Sequence, residues 1–149
     1  MDEEGRTVAD GMLTAPVRHP VSATVRELRR FFRDDHVQAA LIVSPDGYLQ
    51  AVVERDDIAG RRAAETAAPL GRLAGRTVRP EASLAATHRA MISAGRRRAA
   101  VTSADGRLLG LLCLKASRSG FCSAEDVRAR ARDQAGGQSA GEQAGAVVS

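Results

Sequence analysis

The chain has 149 residues, enough for one domain with an ordinary core and too few for two independent ones. Hydrophobic residues make up 44% and aromatic residues 3%, with no Trp, which leaves few rings on which nucleobases could stack. The net charge of +4 comes from Arg in short clusters (29–30, 61–62, 96–98, then 128, 130 and 132) interleaved with Asp and Glu, the pattern of a solvated surface rather than a nucleic-acid patch.

The opening MDEEGRTVADG lacks a basic stretch followed by an apolar run, and no segment has the length to cross a bilayer, so the expectation is a cytoplasmic protein without a membrane partner. Residues 1–6 are polar and expected to be flexible. Thr24 with Glu27 three residues on forms a capping-box start, and Val25, Leu28 and Phe32 recur at helical spacing, which predicts a helix to about Asp34. A buried strand is expected over Ala39–Val43, a turn at Asp46-Gly47, and a return strand over Tyr48–Val53, because Asp-Gly between apolar runs signals a hairpin. The following ERDDIAGRRAAE reads as a short helix entered through acidic residues, and residues 63–76 as the linker into what comes next.

The next segment is the first again. An ungapped offset of 59 carries Thr24 to Ser83, Phe32 to Met91, Asp46-Gly47 to Asp105-Gly106, and Ala51 to Gly110. Ser83 is therefore a helix cap, with Leu84, Thr87 and Met91 on the buried side and Gly95 as the stop. Strands are predicted over Arg98–Thr102 and Arg107–Cys113, then a turn in LKASRSG before GFC. A final amphipathic helix is expected over 123–133, with a flexible Gly/Gln-rich tail over 134–149. The fold class is α+β: one repeat over 7–62, a second over 77–122 with its start in the 63–76 linker, packed pseudo-symmetrically sheet to sheet, plus the C-terminal helix. The two cysteines, Cys113 and Cys122, read as reduced, with Cys113 in the apolar run LLGLLCL, and neither they nor the histidines have metal-ligand spacing.

The stretch from Val8 to Ser117 resembles a tandem pair of cystathionine-beta-synthase (CBS) domains, a Bateman module of the stand-alone bacterial type. The likeness rests on VADGMLTAPVRHPVSATV, SPDGYLQAVVERDDI, TVRPEASL and SADGRLLGLLCLKAS. It implies two clefts able to hold an adenosine-containing ligand such as AMP, ATP or S-adenosylmethionine, and a homodimer formed through the helices. The family's signature of a small residue, two hydrophobics, a hydroxyl, two variable residues and an acid falls on Ala51 through Asp57 in the first copy. There Asp57 would hold the ribose hydroxyls, while Glu54 replaces the hydroxyl and would repel a phosphate, which suits this cleft better to adenosine or S-adenosylmethionine unless Arg55 neutralises Glu54. Thr14, Pro16, Val17 and His19 lie in the loop that would face the base. In the second copy Gly110 is kept, but Cys113 and Ala116 replace hydroxyl and acid, leaving a degenerate cleft with Lys115, Arg97 and Arg98 as its phosphate-holding residues.

Asp57 is also well suited to the first turn of a short helix without any ligand. No nucleophile elbow, phosphate loop, dinucleotide fingerprint or spaced catalytic pairing is present, so the sequence assigns no catalytic residue, no metal ligand and no required cofactor. Two readings stand: a non-catalytic regulatory module binding an adenosine-type ligand mainly at the first cleft, or a ligand-free dimerisation or protein-interaction module with degenerate sites. Nucleic-acid binding is the weakest.

Overall fold

The computed structural model describes residues 3–35 and 37–123. The predicted helix over 123–133 and the tail over 134–149 lie outside the described residues, apart from Ser123. The element order is α1 (Val8–Gly11), β1 (Arg18–His19), α2 (Val25–Phe31), β2 (Ala39–Val43), β3 (Leu49–Glu54) and α3 (Arg55–Ile58), then a 3-10 turn at Ala68–Leu70, β4 (Thr77–Val78), α4 (Leu84–Ala94), β5 (Arg98–Thr102) and β6 (Leu108–Cys113).

The 59-residue offset governs this architecture almost to the residue. Both sheets have three strands, ordered β1-β2-β3 and β4-β5-β6, each with a parallel and an antiparallel pairing. Arg18 pairs with Leu41 as Thr77 does with Ala100, and the register slips between Ile42 and Val43 in one sheet and between Val101 and Thr102 in the other. The hairpins turn where Asp-Gly demanded it, with Gly47 at φ 96 and Gly106 at φ 95, a region open to glycine at little cost.

Period-2 alternation sorts the strand residues into layers. Ala39, Leu41 and Val43 face the other sheet and join Leu49, Val52, Ala100, Leu108 and Leu111 in a core between the sheets. Ala40 and Ile42 face the opposite way and pack with Val25, Leu28 and Phe32 of the α2 segment. Val101 and Leu112 do the same against Leu84 and Met91 of α4. The result is four layers, helix on sheet on sheet on helix.

Helix α2 ends at Phe31, shorter than the sequence implies; Phe32 is its cap, donating its N–H to Leu28 O at 2.8 Å. The chain is diverted here because Arg55 donates to the carbonyls of Asp34 and Val37, both at 3.0 Å, and lies 5.2 Å above the Phe32 ring. In the second copy Ser83 caps α4, and Gly95 stops it in the left-handed conformation at φ 70.

The segment before each repeat crosses to the other sheet. Leu13 and Leu111 exchange backbone hydrogen bonds at 2.8 and 2.9 Å, while Arg72 and Val52, their counterparts, do so at 3.1 Å. Val8 N–H donates to Ala82 O, as Ala67 N–H does to Ala23 O. The 63–76 stretch is thus more than a connection: Ala67 is fully buried, and residues 66–72 strap the first sheet as residues 7–13 strap the second. The N-terminal residues 3–6 are likewise engaged, since Glu3 bonds His88 and its carbonyl accepts from Arg6.

Candidate functional site

Where β3 runs into α3, four charged side chains form one network. Asp57, the third residue of α3, accepts the Glu54 N–H at 2.8 Å, so it serves the helix start. Its two carboxylate oxygens also meet Arg76 at 2.6 and 3.3 Å. The Arg76 side chain is 3% exposed; it donates to Val52 O at 2.7 Å and reaches Glu54 at 3.3 Å. Glu54 is held on its other oxygen by Arg96 at 2.8 Å. Burial works to raise the Asp57 pKa, but the hydrogen bonds from Arg76 and the Glu54 amide outweigh it, so the carboxyl titrates below its usual value.

Two expectations about charge change here. Glu54 is neutralised by Arg96 and Arg76, not by Arg55, whose guanidinium is spent on the Asp34 and Val37 carbonyls. Asp57 is already committed to Arg76. The lone Arg in GRTV carries no local motif, so only the three-dimensional crossing of the strap could reveal it.

Beside this network lies a cleft of ≈ 400 Å³, lined by Gln38, Glu54, Arg55 and Asp56 from the first repeat and Gly95, Arg96, Arg97, Arg98 and Arg118 from the second. Five arginines and two acidic residues therefore border it. Arg97 donates through Nη2 to Leu114 O at 3.4 Å, and its buried Nε has no partner among the described residues. Arg98 is buried and donates to the Arg97 carbonyl at 3.2 Å.

The structure joins residues that the sequence assigned to separate clefts, Glu54 and Arg55 with Arg97 and Arg98, and disperses others. Ala51 belongs to the core beneath α2. Gly110 is small for the sake of the chain itself: a Cβ there would lie 2.5 Å from Leu13 O and 2.7 Å from Met12 Sδ. Pro16 is buried, Val17 is half-buried, and His19 packs edge-on against Phe31 at 4.4 Å. Burial lowers the His19 pKa, and its Nε2 has no partner among the described residues. Cys113 contacts Cys122, and the exposed Lys115 donates its N–H to Gly120 O at 2.9 Å.

A second cavity of ≈ 270 Å³ lies under the N-terminal strap, lined by Glu3, Arg6, Asp10, Gly11, Met12, Leu13, Leu84, Phe121, Cys122 and Ser123. His88 holds Glu3 of this lining, with Nδ1 2.8 Å from the Glu3 carboxylate and Nε2 2.8 Å from the Arg118 carbonyl. Among the described residues there is no cluster of three His, Cys, Asp or Glu side chains that could hold a metal ion, and no helix long and apolar enough to cross a membrane.

No known family profile matches the sequence, and neither does any curated protein. Solved structures do match. A CBS domain protein from Pyrobaculum aerophilum complexed with AMP aligns with a TM-score of 0.59 at 23% identity, covering 72% of this chain and 86% of that one. The CBS domains of a transcriptional regulator from Streptococcus pneumoniae give 0.62 at 16% identity over 74% and 94%. The cytosolic domain of the Mg2+ channel MgtE in complex with ATP gives 0.58 at 21% identity, covering 69% of this chain and 44% of that one. The two three-stranded sheets and their flanking helices are those of a tandem CBS domain pair.

Proposed function

We propose that this chain, built on the CBS-pair fold, is a non-catalytic regulatory module that binds an adenine nucleotide where its two repeats meet, with the phosphates against Arg97 and Arg118. The observation that carries this reading is the cleft of ≈ 400 Å³, a volume in the range of small-ligand sites, with five arginines and an Arg97 Nε lacking a partner among the described residues. Structures of the same fold are complexed with AMP and ATP. Neutralisation of Glu54 by Arg96 and Arg76 also removes the objection to a phosphate, so AMP or ATP is favoured over S-adenosylmethionine or adenosine. Asp57, which the resemblance assigns to the ribose, is not among the residues lining this cleft and holds Arg76 through both carboxylate oxygens; its neighbour Asp56 is the acid of α3 that borders the cleft. The module is proposed to act in the cytoplasm as a homodimer. Ile92, 42% exposed on α4, supplies an apolar contact for a second copy.

Calorimetry with AMP, ATP, adenosine and S-adenosylmethionine tests this. Nucleotides should bind below millimolar concentration, and Arg97→Ala should weaken them by about 10-fold to 150-fold, the value of one charge-assisted hydrogen bond. Silence across the panel would favour the second reading, a ligand-free interaction module. The commitment of both Asp57 and Glu54 to internal ion pairs is the observation that supports that alternative.

A further inference from the structure

The two repeats part company after their last strand. In the first, β3 leads into α3; in the second, the chain turns back on itself over Lys115–Gly120. Lys115 N–H donates to Gly120 O at 2.9 Å, Arg118 N–H donates to Lys115 O at 2.8 Å, and Arg118 adopts φ 62 to make the turn. Leu114 and Phe121 then pair antiparallel, and Cys122 N–H donates to Cys113 O at 2.6 Å.

That pairing puts two sulfurs together. Cys113 Sγ lies 2.7 Å from Cys122 Sγ, and the residues are 1% and 5% exposed. Cys122 also lines the ≈ 270 Å³ cavity, whereas Cys113 is not among the residues that line it. The turn they flank bears on both cavities, because Arg118 lines the arginine cleft and Phe121 the other.

We propose that Cys113 and Cys122 are a reversible redox modification site, closed to a disulfide by exchange with a low-molecular-weight disulfide that presents its sulfurs to Cys122 from the cavity side. Cys122 thiolate attacks the reagent, forming a mixed disulfide and releasing one small thiolate. Cys113, after losing its proton, attacks the Cys122 sulfur and expels the second. Two protein thiols thus lose two electrons and two protons, and the reagent is reduced to two thiols. The closed form fixes the Lys115–Gly120 turn against both cavities. This inference stands on the pairing of the two cysteines and is independent of nucleotide binding.

The test equilibrates the full chain with graded mixtures of reduced and oxidised glutathione, quenches with acid, alkylates under denaturing conditions and measures intact mass. As the mixture becomes more oxidising, both thiols should escape alkylation together in a monomeric product lighter by two hydrogens. Cys113→Ser should instead stop at a glutathione adduct on Cys122. Tryptic cleavage after Lys115 and Arg118 should slow in the oxidised wild type. Double alkylation at every ratio, cross-linked chains, a persistent wild-type adduct, or cleavage rates indifferent to oxidation would each overturn the proposal.

Discussion

Tyr48 forms a β-bridge with Arg107, the residue that occupies its own position in the second repeat. A residue paired with its counterpart sits on the axis relating the two halves, and here the Arg107 guanidinium lies 4.7 Å above the Tyr48 ring while its Nη2 donates to the Tyr48 hydroxyl at 3.1 Å. Tyr48 is the only tyrosine and the chain has no tryptophan, so its fluorescence reports on this junction alone. Arg107→Ala, which also loses the bond to Asp46 O, is expected to cost about 1–2 kcal/mol. Denaturant unfolding followed by Tyr48 emission and by far-UV circular dichroism should coincide in wild type, since the halves share a core. Separate midpoints would contradict that.

The Asp57–Arg76 pair makes a second prediction. Asp57→Ala leaves a buried guanidinium short of its nearest carboxylate and should cost about 2–4 kcal/mol, toward the lower side because Glu54 remains. Adding Arg76→Met should recover most of the loss. Because the folded Asp57 pKa lies below its ordinary 3.8, this stabilisation is present above that value and disappears as pH falls through the folded one. Acid unfolding of Asp57→Asn should therefore show a shallower dependence than wild type; an unchanged slope would count against the ion pair.

His19 and His88 act in opposite directions. His88 faces a carboxylate and a carbonyl, both pure acceptors, so only the imidazolium satisfies both, and its pKa is raised first by Glu3 and then by the Arg118 carbonyl. Its contribution is full below 6.5 and is lost as pH rises through the higher folded value. His19 is held neutral by burial; its contribution is full above 6.5 and shrinks as pH falls toward the lowered folded value. His88→Gln should flatten the alkaline limb of a stability–pH curve, and His19→Phe the acidic limb, as read from melting temperatures between about pH 5 and 8. Identical curves for the two variants would refute the assignment.

Glycine at two strap crossings is required by close approach. An added Cβ at Gly110 would meet Leu13 O at 2.5 Å, and one at Gly71 would meet Val52 O at 2.7 Å, in both cases backbone that cannot swing away. Gly110→Ala and Gly71→Ala should each lose about 1–3 kcal/mol in urea titrations. Gly11→Ala, which meets only the end of the Leu84 side chain at 3.0 Å, should lose less.

The hairpins and both helix starts were legible because each is written locally: Asp46-Gly47 and Asp105-Gly106, Thr24 with Glu27, and Ser83 before Leu84 all act over a few residues. Arg76 was not, because its partners lie 19 and 24 residues away across the strap. A cue did exist. The repeat extends upstream of the helices, with Thr7 matching Thr66 and Ala9 matching Ala68, and following it would have turned the linker into a strap. The role of the small residue in each copy was also hidden: Ala51 fills a core, and Gly110 makes room for Leu13.

The straps cross reciprocally, residues 7–13 onto the second sheet and 66–72 onto the first, so neither half closes its own sheet. The polypeptide is accordingly a covalently tethered exchange dimer. Cleavage between Gly60 and Ala63 would yield two fragments that each lack one strap and carry the other's, which makes them mutual templates for folding. Either fragment alone could satisfy itself only by lending its strap to a second copy.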